Sequence, residues 1–208
     1  MSTVTAIRLY KPQSDLFKVD VDGKFAFSLS GLDISNTGLR EGDELSADRL
    51  TELIELAGSG KAYAEALKFV SHRLRSVREV SDYLKRRGHV AEPVRLAIDK
   101  LGELGVLDDS RFAEAWVNDR TALRPRSRRQ LEFELTEKGI SRNIIDETLL
   151  GLERSTYLDS LCGVIRKKRY RYGDEKKLIA YLSRQGYAYD DIRAALTLAA
   201  EDTSSVES

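Results

Sequence analysis

Leu84-Lys85-Arg86-Arg87-Gly88, Leu135-Thr136-Glu137-Lys138-Gly139 and Leu182-Ser183-Arg184-Gln185-Gly186 are three versions of one signal. Each sets a leucine four residues before a glycine, the residue best suited to the left-handed backbone that ends a helix. Twelve residues upstream of the glycines stand Ser76, Ser127 and Asp174, all good N-caps, and Ser76/Glu79 and Ser127/Gln130 have capping-box spacing. Eight residues upstream stand Val80, Leu131 and Leu178, which with the leucines form an i, i+4 apolar stripe. Start, stop and buried face agree in all three copies, so three helices of equal length are predicted.

The repeat extends to either side. Beyond the glycines, Val94/Ile98, Ile145/Leu149 and Ile192/Leu196 repeat the i, i+4 spacing and give each unit a later helix. Ahead of the caps, Tyr63-Ala-Glu-Ala-Leu67, Phe112-Ala-Glu-Ala-Trp116 and Tyr157-Leu-Asp-Ser-Leu161 open an earlier one. From that aromatic to the cap the distance grows through 13, 15 and 17 residues, which places the variation in the first connection. The fold class is therefore mainly α: three tandem three-helix repeats over 61–107, 108–152 and 153–200, in an elongated, curved array. A tail over 201–208 has little apolar content and is expected to fray.

Residues 1–60 read differently. Val19, Val21, Phe25 and Phe27 alternate about Asp22-Gly23, a pair suited to a type I′ hairpin turn, and Val4 to Tyr10 offers a third strand. Ser46 opens a helix with Leu50, Leu53, Ile54 and Ala57 on one face, and Gly58-Ser59-Gly60 is expected to break it. This β-rich head of about sixty residues is marginal alone and is assigned no chemistry.

Composition narrows the function. The 208 residues hold 34 basic and 34 acidic side chains, but the first sixty are net −4 and residues 61–107 net +4. One cysteine rules out an internal disulfide, and two histidines, His72 and His89, leave too few ligands for an ordinary zinc site. Neither a leader nor an apolar run of membrane-spanning length is present, so a soluble, cytoplasmic protein is expected. Walker loops, HExxH, GxSxG, CxxC and GxGxxG after a strand are all missing, so no catalytic residue, metal or cofactor is assigned. Asp108-Asp109, an acidic pair opening a helix, reads as capping. Cys162, among Leu161 and Val164, reads as a small buried hydrophobe. Trp116, aligned with Leu67 and Leu161, reads as core.

The basic clusters remain. Arg124, Arg126, Arg128 and Arg129 crowd around Pro125 in a connection between helices. The matching stretch of the third repeat is Arg166-Lys167-Lys168-Arg169-Tyr170-Arg171-Tyr172, and that of the first holds His72, Arg73, Arg75 and Arg78. A single run of this kind is ordinarily a solvated face; its recurrence once per module points to a polyanion or an acidic protein surface. Tyr170 and Tyr172 are equally suited to stacking on bases or packing on helices. Lys85, Arg86 and Arg87 add a basic edge that also suits a helix C-terminus.

Gly105-Val-Leu-Asp-Asp-Ser-Arg-Phe-Ala-Glu-Ala-Trp-Val-Asn-Asp-Arg120, then Arg124-Pro-Arg-Ser-Arg-Arg-Gln-Leu131 and Lys138-Gly139, resembles the central module of the RecX family. The resemblance runs over residues 61–200. Asp22-Gly-Lys-Phe-Ala-Phe27 and Gly38-Leu-Arg-Glu-Gly-Asp-Glu-Leu45 are similar to the extension of longer members. It implies a non-enzymatic regulator that binds the RecA–DNA filament, mainly inhibiting its ATPase and recombinase activity, and so acts in DNA repair, recombination and the SOS response. The implied partners are RecA and single- or double-stranded DNA, weakly or through the filament, with the protein a monomer. Contact candidates are Arg73, Arg75, Arg124, Arg126, Arg128, Arg129, Lys167, Lys168, Arg169 and Arg171. The competing reading is a direct, nonspecific nucleic-acid-binding protein. Against a helix-turn-helix form of it stand Asp99, Glu103, Asp146, Glu147, Asp190 and Asp191 in or beside the third helices. A third reading is a scaffold that only displays a docking site.

Overall fold

Asp22 and Gly23 both take positive φ, 52° and 78°, as a type I′ turn requires. In the computed structural model, which describes residues 1–12 and 15–204, that turn closes a hairpin at one edge of a small sheet. Strands β1 (Ser2–Leu9), β2 (Leu16–Val21), β3 (Lys24–Ser30) and β4 (Glu44–Leu45) lie in the order β3-β2-β1-β4, with antiparallel neighbours. Helix α1 (Gly31–Thr37), capped by the Ser30 hydroxyl accepting from the Asp33 amide at 3.1 Å, was not foreseen. One sheet face packs Val4, Val19, Val21, Phe27 and Leu29 against Leu39, Leu45 and Leu53.

Leu53 belongs to α2 (Ala47–Val70), and here the sequence expectation fails. The helix runs unbroken through Gly58-Ser59-Gly60 and across the expected boundary at residue 60. A Cβ on Gly58 would sit 3.3 Å from the Pro93 ring, so the missing side chain lets the next module approach rather than ending the helix. A mid-helix glycine costs about 1 kcal/mol, which two packed cores easily offset. The first half of α2 packs Leu50, Leu53, Leu56 and Ala57 against the sheet, leaving Ile54 half exposed. Its second half buries Ala62 and Ala66 against α3 (Val77–Arg86) and α4 (Ala91–Glu103). Head and first module thus share one helix and form one compact unit, Met1–Leu107.

The second unit starts at Asp108 and holds two more modules. These are α5 (Asp109–Leu123), α6 (Arg128–Glu137) and α7 (Arg142–Gly151), then α8 (Arg154–Tyr172), α9 (Glu175–Arg184) and α10 (Tyr189–Ser204). Their cores merge through Phe112, Val117, Leu131, Leu135, Ile145, Tyr157, Leu161, Leu178, Leu182 and Ile192. Of the tail assigned to 201–208, α10 takes in residues as far as Ser204, and 205–208 lie outside the described residues.

The repeated signal behaves as its chemistry demands. Gly88, Gly139 and Gly186 take φ of 87°, 80° and 90°. The amide after each glycine donates to the carbonyl of the leucine four residues before it: His89 to Leu84, Ile140 to Leu135 and Tyr187 to Leu182, at 3.1–3.2 Å. Each leucine thus closes its helix by its carbonyl while its side chain is wholly buried. Truncating one to Ala costs about 2–5 kcal/mol. The full reciprocal capping box forms at Ser127/Gln130.

The repeats differ in a way the spacing concealed. The first connection shortens along the chain, from 71–76 to 124–127 to 173–174, while the helical stretch from the aligned aromatic residue to the helix end lengthens, from 63–70 to 112–123 to 157–172. The run Arg166 to Tyr172 is therefore the last two turns of α8 and not a connection, which corrects its equivalence to the corner at Arg124.

Candidate functional site

The connection after α5 is built on Ser127. Its buried hydroxyl accepts from the Gln130 amide at 3.2 Å, starting α6, and donates to the Gln185 carbonyl at 2.8 Å, tying α6 to the turn after α9. Gly186 completes that seat: a Cβ there would lie 2.9 Å from the Ser127 hydroxyl and 3.1 Å from the Arg129 Cβ. The flanking arginines consequently leave on fixed paths.

Two of them turn inward. Arg126 donates to Glu134 at 2.8 Å, and the same carboxylate accepts from Arg120 at 2.7 Å and from the Trp116 indole at 2.9 Å. Burial alone would raise the Glu134 pKa, but these three donors hold it below the ordinary carboxylate value. Trp116 is accordingly half-buried, with the Arg120 guanidinium 4.0 Å from its ring centroid. That corrects its reading as plain core, and the aligned Leu67 is itself 40% exposed. Arg128 donates to the Leu149 and Leu152 carbonyls at the end of α7 and lies over the Tyr157 ring at 5.1 Å. It is a helix cap supplied from a distance. Arg124 and Arg129 point to solvent, and among the described residues neither forms an ion pair.

Along the end of α8, Lys167, Arg169 and Arg171 are exposed and likewise unpaired among the described residues, while Lys168 sits 5.8 Å over the Tyr181 ring. The two tyrosines separate: Tyr172 stacks on Tyr181 at 4.8 Å, and Tyr170 is 98% exposed. In the first module the cations are mostly spent. Arg73 pairs with Glu79 at 3.1 Å, and Arg78 lies 3.8 Å from Asp82. Arg75 lies 3.9 Å over Phe69, which stacks on Tyr83 at 4.1 Å. Burial, then repulsion from Arg73, pushes the Arg75 guanidinium below its usual pKa. Arg87 pairs with Glu65, whereas Lys85 and Arg86 stay exposed.

What the sequence did not reveal is that the corner and the end of α8 share a groove. A cavity of about 450 Å³ is lined by Leu123, Pro125 and Arg126 from one side and Lys167 and Lys168 from the other, with Asp159 in its wall. Arg126 and Gln130 also line a second groove of about 490 Å³, with Arg129, Arg184 and the 67%-exposed Phe133. Arg184 and Phe133 had no signal of their own in the repeat pattern. The result is a cationic surface with apolar points, suited to holding phosphates or carboxylates. The other expected features are in place: Asp108 accepts from the Ser110 and Arg111 amides as the α5 cap, and Cys162 is buried.

The family models that match are the first three-helix domain of RecX, over residues 62–101, and the second, over 108–149. A regulatory protein RecX of Clostridium botulinum is 27% identical over 93% of this chain and 94% of its own. One of Listeria monocytogenes is 27% identical over 98% of this chain and 77% of its own. Among solved structures, one titled as the crystal structure of regulatory protein RecX superposes with a TM-score of 0.77 at 21% identity, covering 93% of this chain and all of that one. RecX from Lactobacillus salivarius gives 0.63 at 24% identity over 68% of this chain and 96% of that one.

Proposed function

The chain belongs to the RecX family, and from that premise we propose that it is a non-enzymatic, cytoplasmic regulator that binds the RecA–DNA filament and restrains its ATPase and recombinase activity. The observation that carries this is the set of exposed cations Arg124, Arg129, Lys167, Arg169 and Arg171, none in an ion pair among the described residues, on one compact helical unit in which Lys167 lines one groove and Arg129 the other. Cations so close together repel in the free protein, and a row of phosphates or carboxylates relieves that cost. Arg124 and Arg129 are set by the Ser127 seat, and the α8 cations by a helix, so little ordering is needed on binding. Tyr170 supplies an exposed ring among them. No described helix is long and apolar enough to cross a membrane.

Arg73, Arg75, Arg126 and Arg128, first taken as contacts, act in this reading as supports. The third helices are poor recognition helices: Arg95 and Arg142 are engaged there by Asp99 and Asp146, and Glu103, Glu147 and Asp190 are exposed, so incoming phosphates would meet carboxylates. This weakens the direct DNA-reading alternative. The test is single-strand-DNA-dependent ATP hydrolysis by the cognate RecA, titrated with the wild type and with R124A/R129A/K167A/R171A. The expected result is inhibition by the wild type at well below one molecule per RecA, and weaker inhibition by the folded variant. Equal inhibition by both would remove the cationic surface from the mechanism, and no inhibition by the wild type would remove RecA as the target.

A further inference from the structure

The head sheet has a second face, opposite its core. Register places Arg8, Lys18, Asp20 and Phe25 on it, with Tyr10 just past β1, where its amide donates to the Leu16 carbonyl at 2.8 Å. Tyr10 and Phe25 are 46% and 60% exposed. They are not scattered apolar residues, because the Lys18 ammonium stands 4.8 Å from the Tyr10 centroid and 5.9 Å from that of Phe25. Lys11 adds a second ammonium 5.3 Å from Tyr10. The carboxylate that the register of the described strands places on this face, Asp20, is already paired with Arg8. The first sixty residues are net acidic, yet two lysines, Lys11 and Lys18, stand beside these rings.

We propose that this face is a binding platform for single-stranded nucleic acid, with bases stacking on Tyr10 and Phe25 and Lys18 and Lys11 taking the phosphates. Both rings lie within reach of one lysine, so their centroids are no more than about 11 Å apart, a span that neighbouring nucleotides of an extended strand can bridge. In the free protein the lysines cover the ring faces only by weak exposed cation–π contacts. An incoming strand offers each partner something better: phosphate for the ammonium and an unpaired base for the ring. A duplex hides its base faces and offers the rings nothing. An acidic protein surface would use the lysines and leave the rings idle. The platform belongs to the first unit and does not rest on the RecA reading or on the cations of the second unit.

The experiment is fluorescence anisotropy of a labelled oligothymidylate at low salt with the full chain carrying R124A/R129A/K167A/R171A, so that the other cationic surface does not contribute. Y10A and F25A should each weaken binding by about tenfold, the scale of one lost stacking contact. Y10F and F25Y should retain binding, and K18Q should lower the salt slope by about one. Photocrosslinks from a halogenated pyrimidine strand should map to Tyr10 or Phe25. Unchanged binding by the folded Y10A/F25A double variant would overturn the proposal. So would equal affinity for the corresponding duplex. Displacement by polyglutamate, with K18Q harmful and Y10A/F25A harmless, would mark an acidic-protein surface instead and also overturn it.

Discussion

The corner between α5 and α6 and the end of α8 carry similar runs of cations and put them to different use. At the corner, Arg126 and Arg128 are consumed by Glu134 and by the carbonyls of α7, and Arg124 and Arg129 are left for solvent. At the end of α8, Lys167, Arg169 and Arg171 are all left over. The difference follows from backbone geometry. A connection packed under a neighbouring turn sends alternate side chains inward, whereas the last turns of a helix that outruns its partners leave most of their side chains outside. Charge density in a sequence is therefore not the charge available to a partner.

Breaking the corner at its most constrained point gives the largest effect. Gly186→Ala combines left-handed backbone strain with a methyl placed against Ser127 and Arg129, and is expected to cost about 3 kcal/mol. Gly173→Ala at the end of α8 meets nothing within 4 Å, so it carries only the strain, about 1 kcal/mol. Urea midpoints of the two variants measure the contrast directly, and equal losses would mean that the Ser127 seat adds nothing.

Glu134 comes next. Its pKa is depressed in the folded state by its hydrogen bonds from Arg120, Arg126 and Trp116, against the opposing effect of burial. A depressed carboxylate contributes stability that is present above its unfolded pKa and is lost as pH falls through its folded pKa. Wild-type stability should therefore decline on acidification below the ordinary carboxylate range. Glu134→Gln should lose about 2 kcal/mol at neutral pH, since charged hydrogen bonds are replaced by weaker ones, and should show a shallower acid decline. Parallel acid titrations of the two proteins would sink this account.

Much of the fold was legible because its signals are local. A cap, an i, i+4 stripe and a glycine lie within one helix, and Ser127, Leu131, Leu135 and Gly139 could be read together without knowing what they pack against. The continuity of α2 was illegible because Gly58 is explained by Pro93, thirty-five positions away in sequence and adjacent only after folding. The surface was half legible for the same reason. Arg124 and Arg128 are both arginines of one short run, and only the folded position of α7 separates the exposed side chain from the cap. Tyr170 and Tyr172 look alike until Tyr181 is brought beside one of them.

The smallest expected effect sharpens the comparison most. Arg128→Ala frees the Leu149 and Leu152 carbonyls and uncovers Tyr157, and is expected to lower stability by about 1–2 kcal/mol. Arg124→Ala, exposed and without an ion pair among the described residues, should stay within about 0.5 kcal/mol of the wild type. If the corner divides its arginines into supports and contacts, the functional order reverses: at a temperature where both variants are folded, Arg124→Ala should weaken inhibition of RecA more than Arg128→Ala does. Stability and inhibition measured on the same two proteins separate the roles, because a uniformly structural corner would move both in step. A uniformly exposed one would leave both variants as stable as the wild type.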